Sequence, residues 1–192
     1  QIINASKRVP VVLGDRRMPN GPVDCVSTDN VDIMNRMVTR LARAGYTKIG
    51  YVSEDMIMSN CADRYQGYRQ GMAANGLTAD ERWVYLLPEL RLNKMENTYR
   101  YFKNTPLGRH LPQVFLCSSD LIAVGLMAAL KERGYHIPRD VGVVGFDDIS
   151  IAAFADPPLT TISQDMRQLG RSCFQALLNR MENRNQTPQE TI

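Results

Sequence analysis

This chain of 192 residues has no long apolar run, little net charge and very little histidine. Each shortage removes a class of function. No stretch approaches the ~20 consecutive apolar residues that span a bilayer, so no membrane-spanning helix is expected. The start, QIINASKRVP, lacks the basic-then-apolar order of a signal peptide. The net charge of +3, from 23 basic and 20 acidic residues, is too mild to imply a nucleic-acid or membrane surface by itself. The two histidines, His110 and His136, lie far from any nucleophile and read as surface or loop residues. There is no CxxC and no Cys/His ligand spacing. Cys25, Cys61, Cys117 and Cys173 stand singly among apolar neighbours, as reduced thiols in or near a core do in a reducing cytosol. No GxSxG elbow and no GxGxxG fingerprint follows any strand.

What is present is ordinary for a globular protein, with 44% hydrophobic and 22% charged residues. The length slightly exceeds the ~150 residues of an average domain, enough for a sizeable core. Short β-rich runs alternate with helical ones. Strands are expected at Val9–Gly14, Cys25–Ser27, Lys48–Ser53, Trp83–Leu87, Gln113–Cys117, Val141–Phe146 and Thr160–Ile162. KIGYV, QVFLC and VGVVGF are near-continuous apolar runs, the pattern of strands covered on both faces of a parallel sheet. Asp29 precedes a helix with Met34, Met37, Val38 and Leu41 on one face. Gly45, Gly76 and Gly134 each stand where a helix stops. A last helix from Asp165 to about Glu182 carries Met166, Leu169, Cys173, Leu177 and Met181 on its inner stripe. Strand–helix–strand alternation with short connections predicts an α/β fold, a doubly wound open parallel sheet.

Ligands of such sheets bind outside the carboxyl ends of the strands. That rule selects Asp15, the segment from Asn60 to Arg64, Ser118, Ser119 and Asp120, and the Asp147-Asp148 pair. The long, irregular stretch after Leu87 adds Pro88, Glu89, Arg91 and Asn93. Asp15 is either a site residue or a solvated loop acid. Asn60 and Asp63 read as a helix N-cap and its partner three residues on. Arg64 meets the unfavourable end of the helix dipole, so something else holds it there, such as a ligand hydroxyl or carboxylate. Ser118 or Ser119 caps the next helix or serves the site. Asp147 and Asp148 form a turn or grip a polyol. Further oxygen ligands at a recognisable loop spacing are absent, so neither metal nor cofactor is expected. Adjacent carboxylates point in different directions, so an enzyme is not expected either.

The string VGVVGFDDISIAAFADPPLTTISQDMRQLG, from Val141 to Gly170, strongly resembles the lactose/galactose-repressor (LacI/GalR) family of bacterial transcription regulators. VPVVLGDRR, CVSTDNVD, LARAGYTKIGYV, DRYQGYRQGMAANGL and SSDLIAVGLMAALKERGYHIPRDV agree, so the resemblance covers essentially the whole chain. It implies a regulatory core of two similar subdomains, like periplasmic sugar-binding proteins, with a small carbohydrate-like effector in the cleft. Residues 24–162 would be the C-terminal subdomain, and 1–20 and 163–184 pieces of the N-terminal one. The start would fall in that subdomain's last helix, and TPQETI would stop where its final strand begins. Operator DNA would be bound by a headpiece absent from this segment.

Carried over position by position, the resemblance implies effector contacts at Asp15, Arg64, Asp147 and Gln164, with Ser119 where the family often has asparagine. The aromatic that many members place after a Gly-Asp pair has no counterpart in LLPELRLNKMENTYRYF, and Trp83 comes too early in its strand. The resemblance also implies a homodimer in the cytoplasm; the helix Asp120–Arg133 is apolar over more than one face, and Leu121, Val124 and Ala128 either form the interface or lie in the chain's own core. An exported sugar-binding protein of a transport system would share the fold and stands as the alternative.

Overall fold

A computed structural model describes residues 1–18, 20–88, 93–107, 111–183 and 186–192; Glu89, Arg91 and His110, singled out above, lie outside the described residues. The elements are α1 (Ile2–Ser6), β1 (Val12–Gly14), β2 (Asp24–Val26), α2 (Asn30–Arg43), β3 (Ile49–Glu54), α3 (Ser59–Ala74), β4 (Val84–Leu87), α4 (Lys94–Asn104), β5 (Val114–Cys117), α5 (Asp120–Glu132), β6 (Gly142–Asp147), α6 (Ile151–Phe154), β7 (Thr160–Ser163), α7 (Met166–Glu182) and β8 (Glu190–Thr191). They form two compact units, residues 1–30, 58–60 and 165–192, and residues 31–57 and 61–164. The α/β class with parallel sheets is as expected: every pairing between strands is parallel.

The larger unit holds a five-stranded sheet in the order β4-β3-β5-β6-β7. Consecutive side chains on a strand alternate between faces, and both faces are buried. Ile49, Tyr51, Val114, Leu116, Val144 and Phe146 pack on one side with Met34 and Val38 of α2 and Tyr68 and Met72 of α3. Val52, Phe115, Cys117 and Val143 pack on the other with Phe102 of α4 and Ile122, Leu126 and Leu130 of α5. Continuous apolar runs are what this double cover requires. The strand order reverses between β3 and β5, which places the switch point of the sheet there. Gly45, Gly76 and Gly134 end their helices with positive φ, as their positions predicted.

The smaller unit holds a three-stranded sheet, β1-β2-β8, with α7 packed on it. Asp24 of β2 is almost fully buried. Arg180 of α7 grips its two carboxylate oxygens at 2.6 and 2.7 Å, and the Gln189 amide donates at 2.8 Å. The Arg180 hydrogen bonds hold the Asp24 carboxyl below its ordinary pKa.

Several expectations are corrected. The first strand starts at Val12, because Pro10 has no N–H to give a ladder. Cys25 pairs in register with both Leu13 and Glu190, and the smaller unit's first segment runs on to Asn30. At the other end Ser163 pairs with Asp147, so the larger unit runs on to Gln164. Glu190 and Thr191, within TPQETI, form β8 and pair in parallel with β2. Asn60 is no cap, because α3 already starts at Ser59. Trp83 ends a 3-10 turn, Glu81–Trp83, at the amino end of β4. The stretch after Leu87 is not all loop, since α4 occupies its second half. On α7, Met166 and Met181 are 57% and 56% exposed instead of inward. A helix of 17 residues is ~25 Å long, whereas the three-residue strands beneath it are only ~10 Å long, so the helix is longer than the strands it covers.

Candidate functional site

Within the larger unit, the carboxyl edge of the sheet gathers an arginine, a carboxylate and an amide. Arg64 stands in the second turn of α3, which leaves β3 at the switch point. It is 3% exposed. One guanidinium nitrogen, Nη1, donates to the Ser118 carbonyl at 2.6 Å and lies 3.4 Å from Asp147 Oδ1. The guanidinium plane covers the Phe146 ring, with Cζ 3.7 Å from its centroid. Gln164 closes the group, its Nε2 donating to the same Asp147 oxygen at 2.8 Å. Arg64 is therefore tied to the ends of β5 and β6 by three different contacts.

Asp147 and the next residue, Asp148, both have positive φ, 108° and 54°. Non-glycine residues held this way cost about 1–3 kcal/mol each and persist where surroundings enforce them. The enforcing group is Asp120, at the start of α5 and fully buried. Its Oδ2 accepts from the Ile149 amide at 2.9 Å and its Oδ1 from the Thr161 hydroxyl at 2.5 Å. The Thr161 oxygen in turn accepts from the Asp148 amide at 3.3 Å. Burial pushes the Asp120 carboxyl above its ordinary pKa. Gly145 leaves room for this carboxylate, because a Cβ there would stand 2.2 Å from Asp120 Oδ1.

Ser119 occupies the N-cap position of α5, yet its hydroxyl makes no capping bond. The Ser118 and Ser119 hydroxyls and Gln164 Oε1 are buried and have no hydrogen-bond partner among the described residues. Buried polar atoms are paired as a rule, so these three are exceptions with capacity for a further hydrogen bond. The Asp147 side chain is 30% exposed, within a ligand's reach.

The structure thus brings together Arg64, Asp147 and Gln164, with Ser119 beside them. Asp15 belongs to the smaller unit. It sits at the carboxyl end of β1 with φ 55°, its amide donating to Val26 O at 2.8 Å and its Oδ2 accepting from Asn60 Nδ2 at 3.4 Å. Phe146 carries a part of the site that sequence reasoning did not select, whereas Asp120 was selected with Ser118 and Ser119 but not for its role under the turn. An acid one residue past a pair of strand-end serines was visible, but not that it would be buried. No group of three or more His, Cys, Asp or Glu residues that could hold a metal occurs among the described residues. No helix among them is long and apolar enough to cross a membrane.

Residues 38–192 match the model of the periplasmic binding protein-like domain family. The HTH-type transcriptional repressor PurR of Vibrio cholerae is 31% identical over 184 residues, which is 95% of this chain and 53% of that protein. The transcriptional regulator CelR in complex with cellobiose superposes with a TM-score of 0.83 at 26% identity, over 95% of this chain and 55% of that one. A LacI family transcriptional regulator from Enterococcus faecium with bound ribose shares the fold, with a TM-score of 0.78 at 24% identity, over 95% and 66%. The chain spans about half the length of the curated relatives it matches. The resemblance read from the VGVVGFDD…PPLTTISQ string is upheld by these relatives.

Proposed function

Because the chain belongs to the periplasmic binding protein-like domain family, we propose that it is the effector-binding core of a LacI-type transcription regulator. The effector is a carbohydrate-like molecule bound at the carboxyl edge of the five-stranded sheet, and its binding changes the affinity for operator DNA. The observation that carries this reading is the Arg64–Asp147–Gln164 network with three unpaired buried polar atoms beside it. Asp147 accepts from sugar hydroxyls, Arg64 holds that carboxylate in place, and Ser119 and the Gln164 carbonyl complete the hydrogen bonds. Charge-assisted bonds of this kind suit polyols.

The relatives support a cytoplasmic regulator over an exported sugar-binding protein or an enzyme, since PurR and CelR are named as a transcriptional repressor and a transcriptional regulator. Operator contacts belong to a helix-turn-helix headpiece outside these residues, which accords with a net charge of only +3. Coupling arises because the effector binds two arrangements of the protein unequally.

Calorimetry of the chain with ribose and cellobiose tests the site. Asp147→Ala should weaken whichever sugar binds by about 100-fold, the loss of two charge-assisted hydrogen bonds. Parental affinity in that variant would remove Asp147 from the site.

The homodimer is proposed on one face of α5. Leu121 and Val124 are half-buried and Ala128 is exposed, on a helix whose other apolar residues are buried. Val124 also packs partly on its own core, so Ala128→Asp is the cleaner probe. It should turn dimer into monomer in sedimentation velocity, and an unchanged distribution would place the interface elsewhere.

A further inference from the structure

A second charged pair stands on the same sheet edge, on the other side of the switch point. Glu54 is the last residue of β3 and Lys94 the first of α4. The Lys94 ammonium contacts Glu54 Oε1, and the two side chains are only 27% and 12% exposed. A lysine at the start of a helix faces the positive end of the dipole, so its position needs another partner. Removing both charges from water is also expensive, which makes the pair a poor device for stability alone.

The Cys61 thiol donates to the same oxygen, Glu54 Oε1, at 3.4 Å. Cys61 lies one helical turn before Arg64 and feels the charges of Glu54, Arg64 and Lys94. It is 3% exposed, with its pKa pushed up to about 12, first by burial. An un-ionised thiol thus joins the two charged pairs. Both contacts to Glu54 use Oε1. One strand, β5, separates β3 from β6, so the Glu54 and Asp147 ends lie ~10 Å apart. A single sugar ring hydrogen-bonded at both ends covers such a distance.

We infer that Glu54 and Lys94 form a second recognition point of the effector site, reading the hydroxyls at the end of the sugar opposite Asp147. It rests on the effector site proposed above and names the residues that choose among sugars. Lys94 donates to one hydroxyl and Glu54 Oε2 accepts from its neighbour. Among the described residues of this edge, Arg64 is paired with Asp147 and Lys94 with Glu54. The site therefore selects an uncharged polyol and gives no added affinity to a phosphorylated one.

The test is calorimetric titration of the full chain with ribose, cellobiose and ribose 5-phosphate. The phosphate ester should bind no more tightly than ribose. Lys94→Met should weaken the sugar that binds by at least about tenfold and lower the melting temperature, since it leaves the nearly buried Glu54 without its cation, and Lys94→Arg should stay within about threefold of the parent. Should Lys94→Met unfold, Glu54→Gln keeps the shape and carries the same expectation. Parental affinity in Lys94→Met, with affinity lost in Asp147→Ala, would overturn the second recognition point and leave the site standing. Tighter binding of ribose 5-phosphate would overturn the selectivity. If no sugar binds the parent, or Asp147→Ala also binds as the parent does, the site reading itself fails.

Discussion

Arg64→Ala is expected to abolish sugar binding and to lower folding stability by about 2–4 kcal/mol. Its burial, its place on Phe146 and its bond to the Ser118 carbonyl make it part of the scaffold as well as of the site. Breaking a fully buried ion pair costs about 3–5 kcal/mol, and water reaching the 30% exposed Asp147 side chain offsets part of that. Urea denaturation and calorimetry on one sample separate the two effects. Arg64→Lys should recover part of the stability but not the affinity, because an ammonium cannot reproduce the flat stack on Phe146 and the fork geometry together. A urea midpoint equal to the parent's in Arg64→Ala would show that the contacts around it carry little energy.

The next largest effect is expected from a single methyl group. Gly145→Ala puts a Cβ 2.2 Å from Asp120 Oδ1 and 2.9 Å from Leu159 Cδ2. The carboxylate must move, and with it the bonds to the Ile149 amide and the Thr161 hydroxyl. Overpacking costs about 1–3 kcal/mol, and each buried polar group left unpaired adds about 1–3. The turn that holds Asp147 and Asp148 at positive φ loses its anchor at the same time. Affinity should therefore fall by about tenfold even in molecules that remain folded. Normal affinity together with normal stability would mean that Asp120 does not hold this turn.

Much of the fold is legible in the sequence because its signals are local. Runs such as KIGYV and QVFLC report strands buried on both faces, and three glycines report helix ends. The helix α4 was not legible, because it buries only Thr98 and Phe102 and shows too narrow a stripe. The exposure of the two ends of α7 depends on the length of the strands beneath it, which no helical periodicity contains. At the site, strand ends pointed to Asp147 and a misplaced charge pointed to Arg64. Long-range contacts decide the rest. Arg64 meets the Ser118 carbonyl 54 residues away, and Lys94 meets Glu54 40 residues away. Such pairings follow from strand order rather than from spacing along the chain.

The single tryptophan, Trp83, closes the turn that enters β4 at its amino end. A strand of four residues is ~13 Å long, so the indole stands about that far from the carboxyl edge where the effector is proposed to bind. Tryptophan emission in this protein is consequently an optical gauge of whether the larger unit is folded, and a poor one of whether its site is filled. Occupancy is better followed by a probe at the other edge, where Phe146 and Arg64 lie.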